Sequence, residues 1–142
     1  MQQQLSLFDS AFKLKGLLDL VKACMRRILG PEGSESRKSI VGKMNDIASE
    51  AQIPLTGGNV KSLSLDMLNK ILSPSDKSHP PSLLFILVFC KAVNDFEPLN
   101  IIVQAVGLGL MNDQDKKLRD YGKSIVEEKA ARKRKKQLEE QL

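Results

Sequence analysis

The sequence is poor in the side chains that most catalytic and stacking sites use. Among 142 residues it has no tryptophan, one tyrosine, five phenylalanines and one histidine. Proteins that hold single-stranded nucleic acid stack bases on aromatic rings, so this composition argues against that class. His79, the single histidine, lies in a loop beside two prolines, where no histidine-based triad or metal cluster can be assembled. We therefore expect no enzymatic activity, small-molecule substrate, cofactor or metal.

Cysteine and long apolar runs are also scarce. Cys24 and Cys90 are isolated within apolar helical patterns, so we expect two buried thiols in a reducing compartment rather than a disulfide. The longest apolar run, residues 83–90, is far shorter than the roughly 20 residues that span a bilayer. The first residues lack the basic and then apolar order of a signal peptide. The sequence thus predicts a cytoplasmic protein with no membrane contact.

Positive charge is in moderate excess and is concentrated toward one end of the chain. The formal net charge is +5 and the sequence pI is about 9.3. Residues 113–142 contain ten Lys or Arg against seven Asp or Glu, so they carry +3 of that net charge. This balance favours polyanionic partners such as nucleic acid, although an excess of this size also occurs in proteins without such partners.

Apolar residues recur with the period of α-helices, and the sequence shows no strand pattern or internal repeat. Residues 83–90 are apolar on every side, which is typical of the central helix of a bundle. Proline, glycine and cap residues separate five predicted helices, at residues 9–29, 36–51, 65–72, 83–93 and 95–106. Ser36 and Ser64 are the predicted caps of the second and third helices. The predicted inner stripe of the first helix consists of Leu14, Leu17, Leu18, Val21, Met25 and Ile28. The sequence therefore predicts an all-α protein with a compact five-helix bundle.

The character of the chain changes from residue 112 onward, where the sequence predicts a long, charged, solvated helix. Asn112 and Asp115 resemble a capping pair. Acidic residues stand four positions before basic ones, as in Asp113 and Lys117, Asp115 and Arg119, and Glu128 and Arg132. We divide the chain into an N-terminal helix that packs on the bundle (1–33), the bundle (34–111) and the charged C-terminal helix (112–142).

The predicted third helix separates apolar from polar side chains as a DNA-reading helix does. The positions expected to face the bundle are Leu65, Leu68, Ile71 and Leu72. The candidate DNA contacts on the outer side are Ser64, Asp66, Asn69 and Lys70. Asparagine can pair with adenine and lysine can reach guanine or a phosphate, whereas Asp66 would be repelled by phosphates unless it accepts from cytosine.

Further candidate contacts precede this helix. Arg37 and Lys38 open the second helix, whose positive end can hold a phosphate oxygen. Asn59 and Lys61, in the loop before the third helix, could touch the DNA backbone. The alternative interpretation is that all of these residues simply solvate the outside of a small bundle.

The basic run at residues 129–136 is a second candidate surface. It could grip phosphates without sequence preference, with an affinity that depends on salt. The candidate phosphate contacts are Arg132, Lys133, Arg134 and Lys135. The alternative is a solvated helix in which Glu139 and Glu140 neutralise neighbouring lysines.

A short apolar seam precedes this basic run. It consists of Leu118, Tyr121 and Ile125, and its heptad continuation is interrupted by Arg132 and Glu139. We therefore expect a short docking seam, onto the bundle or onto a second subunit, rather than a sustained coiled coil.

Three segments together resemble the lambda-repressor-like helix-turn-helix family, and most closely temperate-phage regulatory proteins of the CII type. They are Ser39-Ile-Val-Gly-Lys-Met-Asn45, Ser64-Leu-Asp-Met-Leu-Asn-Lys-Ile-Leu72 and Pro81-Ser-Leu-Leu-Phe-Ile-Leu-Val-Phe-Cys-Lys-Ala-Val93. The resemblance implies a supporting helix at 37–51, a recognition helix at 64–72 and a closing core helix at 81–94. The chain departs from the family at 52–63, where about a dozen residues replace a turn of a few, so the fold could carry over without the DNA contacts.

These features predict a prophage-type transcriptional regulator that binds duplex DNA through a helix-turn-helix. We expect a homodimer, because palindromic half-sites require paired recognition helices. The alternative function is a non-enzymatic phage adaptor, which would bind another protein through its bundle or its charged C-terminal helix.

Overall fold

The computed structural model describes residues 14–56 and 62–142. These residues contain six α-helices and no strand. The helices are α1 (Leu17–Leu29), α2 (Glu35–Ala51), α3 (Leu65–Leu72), α4 (Leu83–Val93), α5 (Glu97–Gln104) and α6 (Asp113–Glu140). One compact unit ends at Gly109 and a second comprises residues 110–142. The all-α prediction is confirmed. None of the six described helices is long and apolar enough to cross a membrane.

The core of the first unit is built around α4. Phe85 and Phe89 of this helix are fully buried. Ser82 caps it by accepting a hydrogen bond at 3.1 Å from the amide three residues later. The helix packs against α2 and α5, which confirms the core position predicted from its apolar sequence. Its first turn differs from that prediction, because Leu83 and Leu84 are 58% and 47% exposed.

The neighbouring helices each add an apolar face to that core. α1 packs against α3 and α5, and α2 packs against α3. The buried apolar residues that these helices contribute include Val21, Met25, Leu29, Met44, Leu68, Ile71 and Leu72. Burial of a side chain of this size contributes roughly 1.5–3 kcal/mol. These contacts therefore fix where α3 lies.

α1 is shorter than the predicted helix at 9–29. It begins at Leu17, after Gly16 adopts a left-handed conformation with φ of 73°. A right-handed helix requires negative φ, so this glycine interrupts any continuous helix through it. Residues 9–13 lie outside the described residues. Leu14 and Leu18, which the periodicity placed on the inner stripe, are exposed, whereas Val21 is buried.

Two other helix ends differ slightly from the predictions. α2 begins after Ser34, and Ser36, the predicted cap, instead donates its hydroxyl to the Leu29 carbonyl at 3.0 Å. This bond serves one of the unpaired carbonyls at the end of α1. α5 ends at Gln104 rather than at residue 106, and Gly107 adopts φ of 81° just beyond it. Glycine is favoured there because this backbone conformation is strained for other residues.

α6 contains 28 residues and is about 42 Å long at 1.5 Å per residue. Its first turn is closed by a reciprocal capping box, which confirms the predicted pair. Asn112 Oδ1 accepts from the Asp115 amide at 2.8 Å, and the Asp115 carboxylate accepts from the Asn112 amide at 3.2 Å. Both bonds satisfy amides that the helix itself leaves unpaired.

The charge pairs predicted along α6 form only in part. Arg132 contacts Glu128, with 2.6 Å between nitrogen and oxygen. Arg119 contacts the adjacent Asp120 at 3.3 Å rather than Asp115. Exposed pairs of this kind contribute little stability, so the capping box is the stronger local determinant of where α6 begins.

Candidate nucleic-acid interface

α3 buries its apolar side and exposes a narrow polar face. Ser64 caps the helix by accepting a hydrogen bond at 3.1 Å from the amide three residues later. Leu68 and Leu72 are fully buried, as predicted. Ser64, Asp66 and Lys70 are exposed, so three of the four predicted DNA contacts on this helix lie at the surface.

Arg37, predicted as a surface contact for phosphate, is instead buried in the fold. It is 3% exposed. Its Nε and Nη2 atoms donate to the Gly30 carbonyl at 2.9 and 2.8 Å, and Nη1 donates to Asn69 Oδ1 at 2.7 Å. A carbonyl at the end of α1 lacks an intrahelical partner, and the guanidinium supplies one. This placement corrects the surface position expected from the sequence.

Asn69 is the second predicted contact that the fold itself uses. It is only partly exposed, and its Oδ1 accepts from the buried Arg37. Bidentate pairing with adenine requires both the amide oxygen and the amide nitrogen. If Asn69 turned to adenine, a buried guanidinium nitrogen would lose its partner, at a cost of about 1–3 kcal/mol.

Of the other cations predicted near α3, Lys38 is exposed at the start of α2. It forms an ion pair with Glu35 at 3.6 Å, and both side chains are largely solvated. Such a pair contributes little and leaves the ammonium group accessible. Asn59 and Lys61 lie outside the described residues. Lys38 and Lys70 are therefore the predicted bundle cations that the structure places at the surface.

Asn45 joins α2 to the start of α3, a contact that the sequence pattern did not indicate. Its Oδ1 accepts from the Leu63 amide at 2.8 Å, and its Nδ2 donates to the Leu63 carbonyl at 2.9 Å. Leu63 is 3% exposed, so these backbone groups need protein partners. Together with the bond between Arg37 and Asn69, this contact attaches the segment before α3 and the middle of α3 to α2.

α1 supplies two cations to the other end of α3, which the sequence reasoning also missed. Lys22 is 1% exposed, and its Nζ donates to the carbonyls of Ser73 at 3.4 Å and Asp76 at 2.9 Å. Arg26 donates to the Leu72 carbonyl at 2.7 Å. The last carbonyls of a helix carry partial negative charge and lack intrahelical partners. The sequence signal for this contact was the spacing of Lys22 and Arg26, which lie four residues apart beside the apolar stripe of α1.

The loop that follows α3 is ordered around Asp76. Its carboxylate accepts from the Ser78 hydroxyl and amide, both at 2.9 Å, and from the His79 amide at 3.2 Å. The bonds from Ser78, and to a lesser extent the His79 ring, lower the pKa of Asp76 to about 2. His79 is exposed, as predicted. The loop thereby holds the Asp76 carbonyl where Lys22 binds it.

The two cysteines are free thiols within the core. Cys24 and Cys90 are 4% and 0% exposed, and burial raises the pKa of both thiols. They therefore remain protonated and pack as small apolar groups, as predicted. Across residues 14–56 and 62–142, no group of three or more His, Cys, Asp or Glu side chains is positioned to hold a metal ion.

α6 carries a dense cluster of exposed cations. The four predicted phosphate contacts on this helix, Arg132, Lys133, Arg134 and Lys135, are all exposed. Arg132 contacts Glu128, but both side chains remain largely solvated, at 77% and 60% exposure. Within the described part of the chain, the ion pairs leave Lys133, Arg134 and Lys135 without a carboxylate partner. These side chains have no evident part in holding the fold.

The apolar seam of α6 is largely open to solvent. Leu118 and Tyr121 are 60% and 68% exposed, and Ile125 is partly buried. The seam therefore remains a candidate contact for the bundle or for a second subunit.

The exposed candidate contacts thus fall in both compact units. Lys38, Ser64, Asp66 and Lys70 lie on α2 and α3, whereas the basic run 129–136 lies on α6. Arg37 and Asn69 instead hold α2 and α3 together. The chain matches no family model, no curated protein and no solved structure.

Proposed function

We propose that the protein is a prophage-type transcriptional regulator that binds duplex DNA, with a lambda-repressor-like bundle presenting α3 and with α6 holding the phosphate backbone. The observation that carries this proposal is the exposed basic run of α6. No core or cap contact explains six cations within residues 129–136. A cluster of exposed cations along one helix is typical of a nucleic-acid-binding protein.

Phosphate contacts would supply most of the affinity. Each phosphate that a cation neutralises releases a counterion, and each adds about −0.9 to the slope of log K against log salt on duplex DNA. Contacts to phosphates orient a protein but carry no direct sequence information. Sequence preference must therefore come from α3.

The exposed side chains of α3 can recognise a limited set of base pairs in the major groove of DNA. Lys70 can donate to the O6 and N7 atoms of guanine, and Asp66 can accept from the amino group of cytosine. Asn69 is engaged with the buried Arg37, so adenine readout is not expected from it. α3 is also held by α1 and α2, which limits the ordering cost of binding. We therefore propose a modest preference for sites rich in G·C pairs.

The regulator would act as a homodimer. A recognition helix reads only a few base pairs, so helix-turn-helix proteins pair two copies on a two-fold site. The exposed side chains of Leu118 and Tyr121 give α6 an apolar seam for such a contact.

The test is binding of the full chain to labelled duplexes across a salt series. One duplex carries the region upstream of its own gene and another a shuffled sequence of equal composition. We expect binding that weakens linearly on a log–log plot, with tighter binding to the upstream region. Lys70→Gln should reduce that preference, and Lys91→Gln, an exposed position on α4, is the matched control. No binding to either duplex at low salt would contradict the proposal.

A second candidate function is that of an adaptor, which an apolar groove between α1 and α5 favours. Its lining includes Leu17, Leu20, Ile101 and Ala105, and Leu20 is 59% exposed. A groove between two helices suits the apolar face of a partner helix. If duplex binding is absent, Leu20→Lys should abolish binding of a partner protein, whereas Leu83→Lys on α4 should not.

A further inference from the structure

The cations of the basic run are not spread evenly around α6. Successive side chains on an α-helix are rotated by about 100°, so positions i, i+3, i+4 and i+7 share one face. Lys129, Arg132, Lys133 and Lys136 have this spacing and are all exposed. Arg134 and Lys135 fall outside this set and lie on other sides of the helix. We refer to Lys129, Arg132, Lys133 and Lys136 as the basic stripe.

The basic stripe continues the line of the apolar seam. Leu118 and Ile125 lie on the same side of the helix as Lys129, because Leu118 precedes Ile125 by seven residues and Ile125 precedes Lys129 by four. One side of α6 thus changes from apolar to cationic within the length of a single helix. A solvated helix needs no such order, because its charges can lie on any side.

Carboxylates near the basic stripe leave most of its charge uncompensated. Glu128 contacts Arg132 at 2.6 Å, in a pair that is exposed at both ends. Glu139 and Glu140 follow the stripe and form no ion pair with it in the described residues. The stripe therefore presents at least three cations without a carboxylate partner.

We infer that the basic stripe is the surface of α6 that contacts the phosphates of one strand of duplex DNA, an inference that rests on the proposed function. The stripe spans eight residues, 129–136, or about 10 Å of helix from the first to the last. Phosphates on one strand of B-DNA are spaced by about 3.4 Å along the axis. Two turns of α6 therefore face about three phosphates, which equals the number of stripe cations without a carboxylate partner.

Two double variants of the full chain, each of which removes two positive charges, test the inference at equal net charge. Lys129→Gln with Lys133→Gln removes two cations from the stripe, and Lys116→Gln with Lys117→Gln, the control variant, removes two exposed cations from other sides of α6, outside the basic run. Glutamine has a helix propensity close to those of lysine and arginine, so α6 should persist in both. Far-UV circular dichroism checks this, and duplex binding is measured across a salt series.

We expect the stripe variant to lose about 1.8 from the magnitude of the salt slope, since each lost phosphate contact removes about 0.9. Its affinity near 0.1 M salt should fall by more than tenfold. The control variant should change the slope by less than 0.5 and the affinity by less than about threefold.

Equal losses of duplex affinity in the two variants would overturn the inference that the stripe contacts the phosphates and would leave the proposed function intact. Unchanged duplex binding by the stripe variant, while the parent chain binds duplex, would also overturn the inference alone. Absence of duplex binding by the parent chain would overturn both proposals. Binding to vesicles of anionic lipid without binding to duplex would also overturn both, because the polyanion would then be a membrane surface.

Discussion

A cation inside a protein is stable only when fixed acceptors replace the water it has lost. Arg37 and Lys22 meet this requirement mainly with backbone carbonyls, which lie at the ends of α1 and α3 and, for Asp76, in the loop after α3. The last carbonyls of a helix have no intrahelical partner, so a helix end that is shielded from water needs hydrogen-bond donors. Each buried cation therefore gains acceptors and supplies the donors that a helix end lacks.

Arg37→Gln should lower the free energy of unfolding by about 2–3 kcal/mol, because it leaves the Gly30 carbonyl and Asn69 Oδ1 without their charged donor. Urea denaturation of the full chain measures this. Lys38→Gln, at the next and exposed position, is the control and should change stability by less than about 0.5 kcal/mol. Equal effects at the two positions would show that Arg37 is not buried as described.

Asp76 should make stability depend on pH at the acidic end. Its folded pKa of about 2 lies below the ordinary value of 3.8, so the ionised carboxylate stabilises the fold above about pH 4. That contribution is lost as the pH falls through about 2. We expect the difference in Tm between the parent chain and Asp76→Asn to be largest above pH 4 and to shrink as pH approaches 2.

Ser78→Ala removes one donor to the same carboxylate and should give a smaller pH-dependent difference. Thermal unfolding followed by circular dichroism between pH 5 and 2 measures both variants. Parallel pH curves for the parent chain and Asp76→Asn would contradict this account of the loop.

At the scale of single helices, the capping box determines where α6 begins. Asn112→Ala should destabilise the first turn by about 1 kcal/mol, because one unpaired amide loses its acceptor. Hydrogen exchange of the amides at residues 113–116 should therefore accelerate about fivefold. Asn112→Ser keeps an acceptor at the cap and should behave like the parent chain. Unchanged exchange in Asn112→Ala would show that the cap is not required.

The elements that sequence reasoning predicted well are those whose determinants lie within a few residues. The caps at Ser64 and Asn112 and the apolar α4 are of this kind, because periodicity and capping are local signals. The contact of Lys22 with the Asp76 carbonyl joins positions 54 residues apart. No local pattern encodes such a contact, so it emerged only from the packing of α1 on α3.

The same limit explains the candidate DNA contacts. The exposure of Ser64, Asp66 and Lys70 followed from the helical period alone. The engagement of Asn69 did not, because it depends on a guanidinium that reaches α3 from the start of α2. A polar residue on the outer face of a helix therefore indicates DNA binding less reliably when a neighbouring helix can supply it with a hydrogen-bond partner.

At the scale of the whole molecule, the proposed regulator should form a dimer through the apolar seam of α6. Leu118→Lys should raise the dissociation constant of the dimer more than tenfold, because burial of a leucine contributes roughly 1.5–3 kcal/mol. Sedimentation equilibrium of the full chain measures this. Leu138→Lys is a matched control on the same helix, since Leu118 and Leu138 are 60% and 64% exposed.

A monomer at every concentration, on and off a two-fold duplex, would contradict the dimer and leave phosphate binding by α6 unaffected. Equal weakening in the two leucine variants would locate the contact along the whole helix rather than in the seam.

The burial of Lys22 also equips the fold with an internal chemical reporter. Every other lysine in residues 14–56 and 62–142 is exposed, so an amine-specific acylating reagent should modify those at once. The Nζ atom of Lys22 becomes accessible only when α1 separates from the end of α3. The slow phase of its acylation therefore times the opening of that junction, with no label introduced into the chain.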